Sequence, residues 1–369
     1  MTDDKLENLR AKIDELDLQI LDLLNRRMTL SLAIGRLKAS LNHGTVDSVR
    51  EEEILRRLKK HSSGPILDQT LEAVYREIFS GSRALQAPLT IAYLGPPGTH
   101  THNAALKRFG NSNAFLPCST VREVFEEIRR NAADFGIVPV ENSIEGSVRE
   151  TLDALMSSEI GVCGEIVQHI RHALVSLSGR MEDIRTVVSH PQALAQCRQW
   201  LNRRAPGVAL QETSSTAKAA EIALQDRETA AVVGETMAGK MSLKVISRDI
   251  QDMPENITRF LVLGREKPAA TGFDRTSIVF RTEDRPGALF KILEIFARHG
   301  INLSRIESGP DRGGIPWKYA FFVDLAGHRD EPRVAACLKE IDNLRTMVKI
   351  LGSYPVDSSA ANSTAPVGA

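Results

Sequence analysis

The chain reads as three modules of different class: an all-α segment, an α/β segment and a C-terminal α+β segment. Three observations predict this. Through about residue 87, apolar residues recur at spacings of three and four with almost no strand-like run. From Leu89 to about Gly264, short β-branched runs alternate with helical stretches. After Lys267-Pro268-Ala269-Ala270 the order becomes strand, helix, strand, strand, helix, strand, which is a ferredoxin-like βαββαβ sandwich. The expected boundaries are 1–87, 88–267 and 273–355. Residues 356–369 are rich in Ser and Ala with little to bury and are predicted to be a disordered tail.

Composition narrows the function classes. A chain of 369 residues with 42% apolar content buries sizeable cores. Lys plus Arg and Asp plus Glu are both 47, so no general field draws nucleic acid or a membrane surface, and any anion site must be local. The cysteines Cys118, Cys163, Cys197 and Cys337 form no C-x-x-C pair, which argues against zinc and disulfides and for a reducing, cytoplasmic setting. The acidic start and the lack of an 18-residue apolar run predict neither a signal peptide nor a membrane span.

The first helix, Leu6 to Leu41, carries Leu9, Ile13, Leu16, Ile20, Leu23, Leu30, Ile34 and Leu41 on one stripe. Arg27 and Lys38 fall inside that stripe and Arg10 at its edge. A cation aimed at a core costs several kcal/mol unless paired, and the same face offers no carboxylate; an anion from outside is the simplest partner. Breaks near Asn42-His43-Gly44 and Ser62-Ser63-Gly64-Pro65 delimit two shorter helices. The second places Glu51 on the line of Ile54, Leu55 and Leu58, after Asp47 and Arg50, and the third sets Ser82 and Gln86 four apart with Leu71 and Ile78. Arg, Lys and Arg can clamp two carboxylates, and Gln86 can bond a neutral oxygen. Such a pocket needs no nucleophile; it suits a substrate held compact while charge separates. Three helices with so long a stripe make a thin bundle, so an intertwined dimer is expected.

In the second module the predicted strands are Thr90 to Leu94, Phe135 to Val140, Thr186 to Val188, Ala230 to Val233 and Phe260 to Leu263. Several end in polar turns, where open α/β sheets bind ligands. Glu141-Asn142-Ser143 leads from a strand to a helix start, where amides favour carboxylates. Val188-Ser189-His190 with Gln196 is similar. Ser215 and Thr216 precede an alanine-rich helix, and Asn256-Ile257-Thr258-Arg259-Phe260 opens the last strand. Gly95-Pro96-Pro97-Gly98 is not a dinucleotide turn, because it lacks G-x-G-x-x-G and Pro97 removes an amide. In the third module Asp284-Arg285-Pro286-Gly287-Ala288-Leu289 joins strand to helix, with Gly287 letting a ligand approach the helix start.

These motifs carry resemblances. Leu9 to Asp14, Arg26-Arg27, Ile34 to Lys38, Asp47 with Arg50-Glu51-Glu52, and Ser80 to Gln86 resemble the all-helical chorismate mutases. The resemblance implies that Arg10, Arg27, Lys38 and Arg50 bind chorismate, with Lys38 and Gln86 at the ether oxygen. It also implies that Arg10 reaches the partner subunit's site. Glu141-Asn142-Ser143 and Thr258-Arg259-Phe260, with Ala92 to Thr99 and His169 to His172, resemble prephenate dehydratase. That implies a two-lobed fold like a periplasmic binding protein, with prephenate in the cleft and Thr258 as the essential hydroxyl. Glu141, Asn142, Ser143, Ser189, Gln196, Ser215, Thr216, Arg259 and Phe260 are the other candidates there. His100 and His102 stand where that family leads one to expect an aromatic residue and a serine, and His172 reads as structural. The Gly287-Ala288-Leu289 segment resembles an ACT domain, whose effector, phenylalanine, would meet Gly287, Ala288, Leu289, Glu307 and Ser308. Glu307-Ser308-Gly309-Pro310 has Gly309 where the family has arginine. The order of modules resembles bifunctional chorismate mutase/prephenate dehydratases, with no cofactor or metal expected and a homodimer or dimer of dimers as the assembly. An arogenate-preferring dehydratase and a non-catalytic aromatic-acid sensor are the alternatives; for the third module, dimerisation alone is another.

Overall fold

A computed structural model describes residues 2–40, 48–238, 242–282, 285–310, 319–344 and 347–357. Asp47, and the tail beyond Asp357, lie outside the described residues. The chain divides into two compact units, one built from residues 1–90 with 106–114, the other from 91–105 with the chain after 115.

In the first unit, α1 (Thr2–Ser40), α2 (Ser48–His61) and α3 (Asp68–Gln86) follow the predicted three-helix order. Helix α3 buries Leu71, Phe79, Ser80, Ser82 and Arg83 and packs on α1 and α2. The α1 stripe is the departure. Leu9, Ile13, Leu16, Ile20, Leu23, Leu30 and Ile34 are 51–66% exposed: the 39-residue α1 is longer than either helix beside it, and Leu30 and Ile34 stay open even where α3 meets it.

After α3 the chain continues with β1 (Thr90–Leu94), α4 (His100–Phe109), β2 (Ala114–Cys118), α5 (Val121–Arg129), β3 (Phe135–Asn142), β4 (Gly146–Ser147), α6 (Arg149–Ser157) and β5 (Gly161–His169), all of the second unit but for Thr90 and residues 106–114. The chain then crosses to a second lobe through β6 (His172–Ser176), β7 (Thr186–Ser189), α7 (Pro191–Gln196), α8 (Arg198–Arg204), β8 (Ala209–Glu212), α9 (Thr216–Ala223), β9 (Thr229–Gly234), α10 (Glu235–Ala238) and β10 (Lys244–Arg248). It returns in β11 (Ile257–Gly264). Sheet order is β2-β1-β3-β11-β5 in the first lobe, with β4 on β3, and β10-β6-β9-β7-β8 in the second. The two crossings make the lobes; β9, flanked on both sides, is buried at every residue and reads accordingly as an unbroken apolar run.

The C-terminal module is β12 (Asp274–Arg281), α11 (Ala288–Arg298), β13 (Leu303–Pro310), β14 (Tyr319–Ala326), α12 (Pro332–Asn343) and β15 (Val348–Pro355), the predicted βαββαβ order. Its sheet, β13-β14-β12-β15, has two working faces. Ile278, Phe280, Val323 and Leu325 pack on α11 and α12. Val279, Ala320, Phe322, Leu351 and Tyr354 instead share a core with Ala92, Val138, Leu261 and Leu263 of the first lobe. Alternation along each strand sends one set of side chains each way, so the sheet is seated against the lobe rather than hung from it.

Candidate functional site

Along the seam of α1 and α3 the polar residues meet in steps of one helical turn. Arg27 Nη1 donates to Ser82 Oγ at 2.7 Å, and its guanidinium lies 5.4 Å from the centre of the Phe79 ring. One turn on, Gln86 Nε2 donates to Ser31 Oγ at 2.6 Å. No carboxylate among the described residues pairs with Arg27, so its charge is met only by a hydroxyl and a ring face. Lys38 is half-buried one turn below Ile34, and Arg10 is exposed on the open part of α1. Glu51 is committed elsewhere, and Arg50 lies exposed beside Glu53. Glu51 forms a buried salt bridge with Arg83, whose Nη2 also donates to the Phe109 carbonyl at 2.9 Å, and Arg50 pairs with Glu53 at 3.1 Å. Glu51 is therefore the counter-ion of a buried cation and not a free ligand group. Arg83 is the residue sequence reasoning passed over.

In the second unit, β3 and β11 are antiparallel with Thr258 opposite Asn142. Asn142 Nδ2 donates to Thr258 Oγ1 at 2.8 Å and to Asn256 Oδ1 at 2.8 Å. Its own Oδ1 accepts from the amides of Ile144 (3.0 Å) and Glu145 (3.1 Å). Two backbone donors fix which end of the side chain is oxygen, so the amine must face Thr258. Thr258 thus accepts a bond and keeps its own proton to give. Asn256 is fully buried, and among the described residues its Nδ2 has no partner, an unmet donor beside the hydroxyl. Ser143 closes the strand ends, donating to the Glu255 carbonyl at 3.0 Å and accepting from the Ile257 amide at 2.9 Å.

The lobes are joined at polar contacts. Glu145 accepts from Gln192 Nε2 at 2.6 Å and Gln196 Nε2 at 3.2 Å, and Gln196 Oε1 meets His172 Nε2 at 2.8 Å. The His100 and His172 rings stand edge to face, 5.6 Å between centres. Burial, and then the neighbouring His172, push His100 down to about 3; burial also lowers His172, against the raising effect of its bond to Gln196. Both imidazoles are neutral near pH 7. His102 stacks on Tyr93 at 4.7 Å and accepts the Gly98 amide, a packing role.

A scan of family models matches chorismate mutase type II at 9–87, prephenate dehydratase at 91–268 and the ACT domain at 276–343. The chain is 46% identical over 356 residues to a bifunctional chorismate mutase/prephenate dehydratase of Aquifex aeolicus, covering 95% of this chain and 98% of the relative. It belongs to that bifunctional family. An arogenate dehydratase/prephenate dehydratase of Arabidopsis thaliana is 34% identical, covering 91% of this chain and 89% of its own. The crystal structure of prephenate dehydratase from Arthrobacter aurescens in complex with L-Phe superposes with a TM-score of 0.68 at 36% identity, over 76% of this chain and 93% of that one.

In the dehydratase module of this family member, strand alternation divides the expected site residues. Thr258 and Asn142 share one face of the sheet; Arg259 and Glu141, one residue along, share the other and pair at 3.2 Å. Arg259 and Glu141 are therefore not brought to the Thr258 cluster. A bulge between Arg259 and Phe260 lets Val140 stay in the core while Glu141 reaches Arg259. Phe260 is a core residue, 1% exposed. Ser189 spends its hydrogen on the Val232 carbonyl at 2.6 Å, and Ser215 caps α9 by accepting the Lys218 amide at 3.0 Å, so both act first as local structure. Thr216 opens the same helix. In the ACT module, Gly287 (φ 79°) caps α11, with Ala288 and Leu289 in its first turn. Glu307 accepts from Ser147 Oγ of the dehydratase module at 2.9 Å, and Ser308 is exposed.

Proposed function

We propose that the chain rearranges chorismate to prephenate in the helical module and converts prephenate to phenylpyruvate in the two-lobed module, under feedback by phenylalanine. The mutase site is placed along the α1–α3 seam. Arg27, Lys38 and Arg10 hold the carboxylates, and Gln86 with Lys38 faces the ether oxygen, where partial negative charge grows as the bond lengthens. The uncompensated charge of Arg27, against Ser82 and Phe79, supports this reading.

In the dehydratase, the carboxylate carbon leaves as carbon dioxide, its bonding pair enters the ring, and the ring hydroxyl departs with a proton to become water. Aromatisation supplies most of the driving force. The proton passes from Thr258 to the departing hydroxide, and Thr258 takes one back from solvent after the product leaves. A threonine hydroxyl is a weak acid, and the bond it accepts from Asn142 is what polarises it. That 2.8 Å contact is the observation that carries the dehydratase reading. The exposed α1 stripe is assigned to a second copy of the chain, since an apolar face of that length is otherwise left in water.

The test is an assay from chorismate that resolves prephenate from phenylpyruvate, with and without phenylalanine. Both products, with phenylpyruvate falling on addition of phenylalanine, are expected. Prephenate accumulating unchanged overturns the dehydratase assignment. The Arabidopsis relative's name keeps arogenate as a second substrate reading; arogenate turned over as fast as prephenate would favour it.

A further inference from the structure

Thr258 and Asn142 are each followed or preceded in sequence by a charged residue that faces the ACT sheet. Arg259 Nη2 meets Asp324 of β14 at 2.5 Å, and Arg259 Nη1 meets Glu165 of β5 at 3.4 Å. Glu141 meets Arg259 and, at 3.6 Å, Arg305 of β13; Glu165 also pairs with Arg275 of β12. Three acids and three arginines close the set, three residues from each module. Glu165 and Asp324 are buried. Burial alone would lower Arg259, but Asp324, Tyr354 and Glu165 raise it on balance; burial would raise Asp324, but Arg259 and the Ser277 hydroxyl at 2.5 Å lower it. Both stay charged.

The same strand that supplies Arg305 reaches the other end of the Asn142 turn. Arg305, Glu307 and Gly309 alternate along β13, so they share a face, and all three sit on residues 147–149. Arg305 Nη2 and Glu307 both bond Ser147 Oγ, at 2.6 Å and 2.9 Å. Gly309 lies under the Arg149 guanidinium so closely that a Cβ there would fall 1.8 Å from Nη2. The position that lacks the expected arginine is thus covered by one from the dehydratase module. Buried ion networks are poor sources of stability compared with apolar packing, whereas they do fix register.

We propose that Arg259 and Glu141 are positioning residues, held from the ACT sheet by Asp324 and Arg305, so that this sheet sets the distance between Thr258 and Asn142. Strand β13 feels the effector segment at Glu307 and passes the displacement through Ser147 and Arg305 to Glu141. The inference rests on the assignment of Thr258 and Asn142 given above.

The experiment uses the full chain with Asp324→Asn and Ser147→Ala. Prephenate turnover is measured across phenylalanine concentrations, and phenylalanine binding is measured separately by calorimetry. For Asp324→Asn, kcat is expected to drop at least tenfold with KM within threefold, and Asp324→Glu to recover part of it. For Ser147→Ala, the phenylalanine Kd should stay within about threefold while maximal inhibition shrinks at least fivefold. Wild-type kcat and wild-type inhibition in both variants overturn the inference. If Asp324→Asn fails to fold, Ser147→Ala decides alone: inhibition retained in full overturns it. A fully active Thr258→Ala, by contrast, would remove the site assignment itself, so the two failures are distinguishable.

Discussion

Single side chains carry the chemistry, and their hydrogen bonds say what each can do. Thr258→Ala should lower prephenate turnover by about 10²–10⁴-fold, the usual worth of a positioned proton donor, while Thr258→Ser keeps most of it. Rates on added prephenate check this directly. Arg27→Ala should remove mutase turnover by a factor of at least about 10², the size expected for one transition-state donor, and leave dehydration of added prephenate unchanged. Loss of both activities would contradict the placement of the two sites in separate units. The imidazoles add a pH signature. His100 and His172 bind protons more weakly folded than unfolded, so the unfolded chain takes up more protons between about pH 6.5 and 3. Stability should therefore fall as pH drops through that window, and His100→Phe should flatten the slope of denaturant midpoint against pH.

At the scale of elements, the strongly patterned pieces were legible and the edges were not. The runs at Thr90, Phe135 and Ala230 announce β1, β3 and β9 because they are buried strands of β-branched residues. β8 (Ala-Leu-Gln-Glu) is exposed at every residue and lies at the rim of its sheet, so nothing in its pattern marks it. β5, absent from the predicted strands, carries Gly161, Gly164 and a buried Glu165 that Arg259 and Arg275 neutralise. For the site, the Glu-Asn-Ser and Thr-Arg-Phe segments were visible as segments. Which of their residues face which way was not, because a bulge at Arg259 and a partner as distant as Asp324 decide it. Lys349 is an element-scale device of the same kind. Its Nζ donates to the carbonyls of Leu155, Met156 and Ser158 at 2.8, 3.0 and 2.5 Å, meeting the free end of α6 from β15. Lys349→Met should cost about 1–3 kcal/mol, read as a lower denaturant midpoint, because those carbonyls lose a charged donor.

Over the molecule as a whole, the open stripe on α1 is the basis for the proposed pairing with a second copy, and that pairing makes a prediction about the helical module. Mutase activity should decline on dilution, and Ile20→Glu should abolish it and give a monomer in sedimentation, leaving prephenate turnover on added substrate near its starting value. Activity independent of concentration from an authentic monomer would contradict this.

The first compact unit also takes in residues 106–114, downstream of the β1 strand. Phe109 supplies the carbonyl for Arg83, Ser80 Oγ receives the Ser112 amide at 3.0 Å and Asn113 Nδ2 at 3.2 Å, and Glu77 receives Asn111 Nδ2 at 2.8 Å. A cut after residue 87 therefore parts α3 from residues of its own compact unit. It strips the last turns of α3 of their lining and leaves Arg83 with Glu51 but without the Phe109 carbonyl, so natural shuffling or laboratory transplantation of this module has to carry a strip of the neighbouring gene segment with it or replace that acceptor.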